Sequence, residues 1–292
     1  MKIKLDRYDA FTKQPGKGNP AGVMLNADNF SEAQMQAIAK AVGFNESCFV
    51  CSSDVADVRL RYFTPSYETD LCGHATMAAV NALIEERSIK EDFSLKAETK
   101  AGVINLRYSH KSEEVMMEQA NAKFRFFNSD KEKLFSALGL PVDAYYENYP
   151  VCYGWTGSWT LIVPIRDLKY FAAMSPKTEQ FPKILIENPR SSIHPFTFGS
   201  CNKKHTMHGR HFNSPYLGTV EDSVTGTASG VMGAYCLKYI SKDKLTEDIM
   251  VEQGNEIGKE GTVHVIAERK DSEISVRIYG QAVYNCTLEA DI

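Results

Sequence analysis

The stretch "LCGHATMAAV" (71–80) sets a thiol, a glycine and an imidazole side by side at Cys72, Gly73 and His74, just ahead of small apolar residues that read as a helix. The trio could be a metal ligand pair, a nucleophile with its base, part of a substrate site, or only a tight turn into a packed helix. His74 falls in the first helical turn, where the dipole disfavours an imidazolium and leaves a neutral ring able to donate or accept a proton. Cys72, one step earlier, gains thiolate character from the same helix start and can serve as an acid or base. A lone histidine is more often structural, but its place after Gly73 at a ligand-facing turn favours a chemical role.

Other groups invite chemistry and are weighed against plainer readings. In "GFNESCFV", Glu46 stands at a strand start between Phe44 and Phe49, a setting that can desolvate a carboxylate and raise its pKa. On that stretch alone an ordinary exposed Glu is the better reading. Asp222 in "VEDSVTGT" either caps the helix that follows or meets a substrate amine or hydroxyl, and the residues leave both open. "KKHTMHGRH" supplies His205, His208 and His211, yet as a strand it sends His208 to the opposite face, and no carboxylate or Cys stands at a recognised ligand spacing. Cys48 and Cys51 form a CxxC without a second pair and alternate like strand residues. No metal is therefore expected. There is no GxGxxG and no Walker sequence, so no nucleotide cofactor is expected either.

These side chains need elements to hold them. "IKLDRYDAF" reads as a strand, "KQPGKGNPAG" as a loop rich in turn formers, and "VMLN" as a second strand. "SEAQMQAIAKAVGF" follows helix grammar: Ser31 caps, Met35, Ile38, Ala39 and Val42 share a face, and Gly43 stops it. Strands follow at "ESCFV", "VRLRYF", "FSLKAET" and "GVINLRY", giving a mixed α/β class.

A repeat organises the chain. "RYFTPSY" (61–67) is answered by "RHFNSPY" (210–216), and each runs on to a small-residue helix opened by Gly73 or Gly226. Glycine follows tyrosine by six positions in one copy and by ten in the other, which reads as an insertion, "LGTVEDSV". A duplicated α/β unit with pseudo-two-fold symmetry would aim two helix N-termini into one cleft, a setting suited to a carboxylate. Small residues such as Ala75, Ala228 and Gly230 also serve close helix packing, and the two readings are compatible.

The bulk numbers narrow the business further. At 292 residues two domains are the first expectation. A net charge of −4 and the lack of a basic block with interleaved aromatics argue against nucleic acid. No apolar stretch suits a signal peptide or a membrane span, so a cytoplasmic protein acting on small molecules is expected. Seven scattered cysteines are expected to be free thiols.

With "YDAFTKQPGKGNPAGV", "GFNESCFV", "RYFTPSYETDLCGHAT" and "GTVEDSVTGTASG" in this order, the chain resembles the PhzF-like proteins of the phenazine-biosynthesis isomerase type. The resemblance implies the diaminopimelate epimerase and proline racemase fold, two similar halves, each a curled β-sheet around a central helix. The halves would be 1–118, which 281–292 can complete, and 119–280. It implies a cofactor-independent isomerase that moves a proton between carbon positions of a small carboxylate-bearing substrate in the interdomain cleft. Glu46 matches the acid/base carboxylate, and this match lifts it above its plainer reading. His74, Asp222 and Thr227 match the other polar residues of that site; Gly73 and Gly226 would hold the substrate carboxylate, with Cys72 beside them. A homodimer is implied as well.

The second cysteine of the two-thiol racemases is replaced by Thr225, and Cys72 itself departs from the phenazine isomerase pattern. The chain thus resembles a broader PhzF-like group. The competing expectations are a binding protein without turnover and a one-cysteine epimerase using Cys72.

Overall fold

The computed structural model describes residues 2–217 and 219–292; Gly218, within the "LGTVEDSV" stretch, and Met1 lie outside the described residues. The chain divides into two compact units, Met1–Glu118 with Tyr279–Ile292, and Gln119–Ile278.

In the first unit, β1 (Lys2–Ala10) lies between β2 (Asn19–Met24) and the C-terminal strand Ala282–Asp291, antiparallel to both. The strand Asn19–Met24 begins inside the expected loop and ends before Leu25. Pro20 is tolerated there because the next strand, β3 (Ser47–Cys51), pairs with β2 only from Gly22 onward, so on that side Pro20 breaks no ladder. Asn26, left-handed at φ 54°, ends the extended run. β3 pairs with β4 (Val58–Phe63), and β4 carries the short β5 (Glu68–Thr69) at one end.

Two helices serve this sheet. Between β2 and β3, α1 (Glu32–Val42) starts on a full capping box, Ser31 with Gln34, and stops at left-handed Gly43. Its Met35, Ile38 and Ala39 pack with Ile3, Leu5, Phe49 and Phe63. α2 (Gly73–Glu86) packs against β1, β2, β3, β4 and the C-terminal strand. Ten of its fourteen residues are buried, as expected of an enclosed helix with apolar residues all round. The unit is completed by β6 (Phe93–Thr99), β7 (Gly102–Ser109) and β8 (Glu114–Gln119).

The second unit repeats the plan. β9 (Lys123–Phe126) leads to α3 (Lys131–Leu138); β10 (Cys152–Trp155) and β11 (Trp159–Pro164) form a hairpin, followed by α4 (Phe181–Ile184) and β12 (Ser192–Thr197). β13 (Met207–Gly209), β14 (His211–Phe212) and β15 (Glu221–Asp222) come next, before α5 (Gly226–Tyr235). β16 (Thr246–Gln253), β17 (Gly261–Lys270) and β18 (Glu273–Gly280) follow. α5 packs on β10, β11, β16 and β17, with every residue but Thr227 buried.

The helix has to be slim. A Cβ added to Gly154 of β10 would collide with Val231 Cγ1 of α5. Gly154→Ala is therefore expected to destabilise the fold by ~1–3 kcal/mol, the usual cost of overpacking. A urea midpoint equal to the wild type would show instead that α5 can retreat. No helix among the described residues is long and apolar enough to cross a membrane.

Candidate active site

Glu46 is placed by two neighbouring stops. Gly43 ends α1, and four residues later β3 begins at Ser47, beside Gly22 of β2 and opposite Phe63 of β4. β4 then turns through β5 and the 70–72 segment into α2. Inside that turn the buried Tyr62 hydroxyl donates to Thr76 Oγ1 (2.7 Å), which donates to the Cys72 carbonyl (2.6 Å). The start of α2 is thereby tied to the strand that leads into it.

The result brings three of the expected residues together. His74 Nε2 lies 3.5 Å from Glu46 Oε2, and His74 Nδ1 lies 3.3 Å from Cys72 Sγ. Cys72 and His74 are 8% and 6% exposed, whereas the Glu46 side chain keeps 24% of its surface open. The plainer reading of Glu46 as an ordinary surface residue is corrected: it is half-buried against an imidazole. A neutral ring fits this geometry, accepting at Nδ1 from the thiol and donating at Nε2 to the carboxylate. The Cys72 side chain makes no cap bond to α2, and the helix N-terminus has the amide and dipole character that suits an anion. Glu46, Cys72 and His74 also bring ligand atoms within 4.8 Å of one another, a set able to hold a cation.

The corresponding start in the second unit is built alike but carries different chemistry. Thr225 stands where Cys72 does, without a side-chain cap, and Ser229 Oγ donates back to the Thr225 carbonyl (2.9 Å) as Thr76 does to Cys72. Asp222 accepts from Thr225 Oγ1 (2.6 Å), so it braces the residue before Gly226 through the hydroxyl. Gln253, fully buried on β16, accepts from Thr225 N (3.1 Å) and donates to the Asp222 carbonyl (2.7 Å). Thr227 offers its carbonyl to Thr156 Oγ1 (3.0 Å) and is the one α5 residue left partly open. Across the β14–β15 pair from Asp222 stands His211, which burial pushes down to about 4 despite the nearby carboxylate, so the ring is neutral.

The repeat runs deeper than the three residues shared by the two seven-residue stretches. Arg61 binds Glu68 through Nε (2.7 Å) and Nη2 (3.0 Å) and lies over Phe63; Arg210 binds Glu221 through Nε (2.8 Å) and Nη2 (2.7 Å) and lies over Phe212. Phe63 pairs with Glu68 and Phe212 with Glu221, so these are the same bridge in two copies. This corrects the insertion: Glu221, Asp222, Ser223 and Val224 answer Glu68 to Leu71, and the extra residues fall between Phe212 and Glu221. Extending the comparison to the acidic residue after each tyrosine would have exposed the bridge. Gln253 offered no such signal, because its partners lie 28 and 31 positions away.

The histidine stretch also departs from its strand reading. His205 precedes β13 and converges with His208 on Glu252 of β16 instead of facing away from it, while His211 meets His194. The carboxylate partner missing from the local spacing comes from another strand. Cys48 and Cys51 are free thiols, Cys48 buried and its pKa raised by that burial.

Comparison with known proteins supplies the family. Residues 8–287 match the PhzC-PhzF family, described as phenazine biosynthesis-like protein. The uncharacterized isomerase YfhB of Bacillus subtilis (strain 168) is 44% identical over 283 residues, covering 96% of each chain. The crystal structure of the Bacillus anthracis phenazine biosynthesis protein of the PhzF family is 46% identical, with a TM-score of 0.96 over 100% of both chains. A hydroxyproline epimerase from Agrobacterium vitis shares only 11% identity at a TM-score of 0.60, over 99% of this chain and 92% of that one, which speaks to the fold alone. The α/β architecture expected from the sequence is thus that of the PhzF proteins and the proline racemase-like epimerases, and the chain belongs to the PhzC-PhzF family of phenazine biosynthesis-like proteins.

Proposed function

We propose that this protein is an isomerase that moves a proton between carbon positions of a small carboxylate-bearing substrate, without an organic cofactor. The observation that carries the reading is the Glu46, His74 and Cys72 group set at the start of α2. Glu46, the most open of the three, takes the proton from a carbon next to the substrate carboxylate. The α2 amides receive the carboxylate and the charge that develops on it as the proton leaves. His74, beside the carboxylate, assists the movement of that proton at Glu46, and Glu46 returns it to a second carbon. In the second unit, Asp222, Gly226 and Thr227 are assigned to substrate binding. The isomerase name carried by YfhB supports the reaction class.

The test is proton exchange with solvent. The protein is incubated in heavy water with cyclic and linear amino and hydroxy acids, a dihydro-hydroxyanthranilate among them, and deuterium at carbon is followed by mass and proton spectra. Uptake with at least one acid is expected, and uptake at the wild-type rate in Glu46→Gln would overturn the assignment.

The 3.3 Å contact of Cys72 with His74 favours one second reading, an epimerase in which the thiol is the second acid/base. On the leading reading Cys72→Ser keeps turnover within about tenfold of wild type, because no step runs through sulfur; an epimerase would lose the ~10²–10⁴-fold that a positioned acid or base contributes.

A further inference from the structure

The second unit holds another group of ligating side chains, used by no step of the isomerase reading. Glu252 on β16, 2% exposed, is its centre. Its Oε1 lies 2.8 Å from His208 Nδ1 and its Oε2 2.7 Å from His205 Nδ1. The backbone N–H groups of Cys201 and Asn202 donate to the same carboxylate at 2.5 and 3.0 Å. The ligand atoms of Cys201, His208 and Glu252 lie within 4.8 Å of one another. Cys201 is exposed, which gives the group a path to solvent.

Two features distinguish it from a buried ion-pair knot. The first is how the rings are held: His208 Nε2 is fixed by Glu256 (2.9 Å) and His205 Nε2 by the Thr262 hydroxyl (3.0 Å), so both rings turn Nδ1 inward. An imidazole whose far nitrogen is held by a carboxylate or hydroxyl is the usual outer support of a metal-ligating histidine. Phe171 packs edge-on against the His208 ring and fixes its plane. The second is the thiol. Glu252 is already satisfied by two imidazoles and two amides, so the network has no need of sulfur, yet Cys201 Sγ stands within reach of its ligand atoms.

We propose that Cys201 Sγ, His208 Nδ1 and the Glu252 carboxylate bind a zinc ion, while His205 stays bound to the second carboxylate oxygen. Thiolate, imidazole and carboxylate together suit zinc, whereas calcium and magnesium favour all-oxygen shells. Binding displaces the thiol proton and the proton now shared between His208 and Glu252. The ion ties the 199–206 loop to β16, one residue from Gln253 and the helix start that Gln253 braces.

The experiment is titration of the chelator-stripped, full-length protein with zinc against a chromophoric chelator, and with cobalt(II) as a spectroscopic probe. One zinc per chain is expected, and the cobalt form should show a thiolate-to-cobalt charge-transfer band. Cys201→Ser, an exposed and conservative change, should abolish the band. Glu256→Gln, which alters no ligand itself but loosens the carboxylate support of His208, should weaken zinc binding about 10–100-fold, as loss of outer support does. Cys72→Ser should change neither readout. The proposal fails if the wild type binds no stoichiometric zinc, if the band survives Cys201→Ser, or if Cys72→Ser removes it.

Discussion

Replacing Glu46 by glutamine is expected to lower kcat by ~10²–10⁴-fold with KM close to wild type, the range lost when a positioned proton-transfer group is removed. Glutamine keeps the length and planarity of the side chain and can still accept from His74 Nε2, now 3.5 Å from the carboxylate, so the local packing should persist. What it lacks is a site for the substrate proton. The split between kcat and KM decides what Glu46 does. A base acts in the transition state and its loss appears in kcat; a residue that only holds the substrate binds ground state and transition state alike, and its loss appears in KM. Full turnover with a raised KM would therefore leave Glu46 as a binding residue and pass the proton chemistry to His74 and Cys72. Steady-state kinetics on whichever acid takes up deuterium distinguishes the two.

Local signals placed one part of this site and missed another. Ser31, Gly43, Gly73 and Gly226 were legible because capping and helix starts depend on residues next to one another, and α1, α2 and α5 begin where those residues say. Glu46 had no local signal strong enough to displace an exposed carboxylate; only its resemblance to a known pattern raised it, and its neighbour His74 is 28 positions away. The second unit was harder to read. β12, "SIHPFT", is buried throughout and contains both His and Pro, so it shows no alternation, and it exists because β11 pairs along it from Thr160↔Ser192 to Pro164↔Phe196. Asp222 was visible as a polar residue near a helix start, but its bond to Thr225 Oγ1 and the hold of Gln253 on its carbonyl involve side chains whose rotamers no periodicity encodes.

Arg210→Ala is expected to destabilise the protein by ~3–5 kcal/mol in urea unfolding, the cost of breaking a buried pair from one side. The side chains of Arg210 and Glu221 are 7% and 11% exposed, and Arg210 Nη1 also donates to the Phe171 carbonyl (2.7 Å). Removing the guanidinium leaves a carboxylate and a carbonyl in a dry setting with their main donor gone. Replacing both partners with uncharged groups of similar size, Arg210→Met with Glu221→Gln, should cost less than Arg210→Ala alone, because no charge is then left stranded. Arg210→Lys should fall between them, since an ammonium cannot form the fork that meets both carboxylate oxygens. The matching bridge in the first unit gives an internal control: Glu68 has a second cation, Lys100, at 3.3 Å, so Arg61→Ala strands its partner less completely and should cost less than Arg210→Ala. If both single substitutions cost under ~1 kcal/mol, the bridges behave as surface pairs and do not hold the turns into α2 and α5. If Arg210→Ala is costly and Arg61→Ala mild, the two copies of one motif have come to depend on different numbers of charges, and the turn that carries Asp222 is the one held by a single cation.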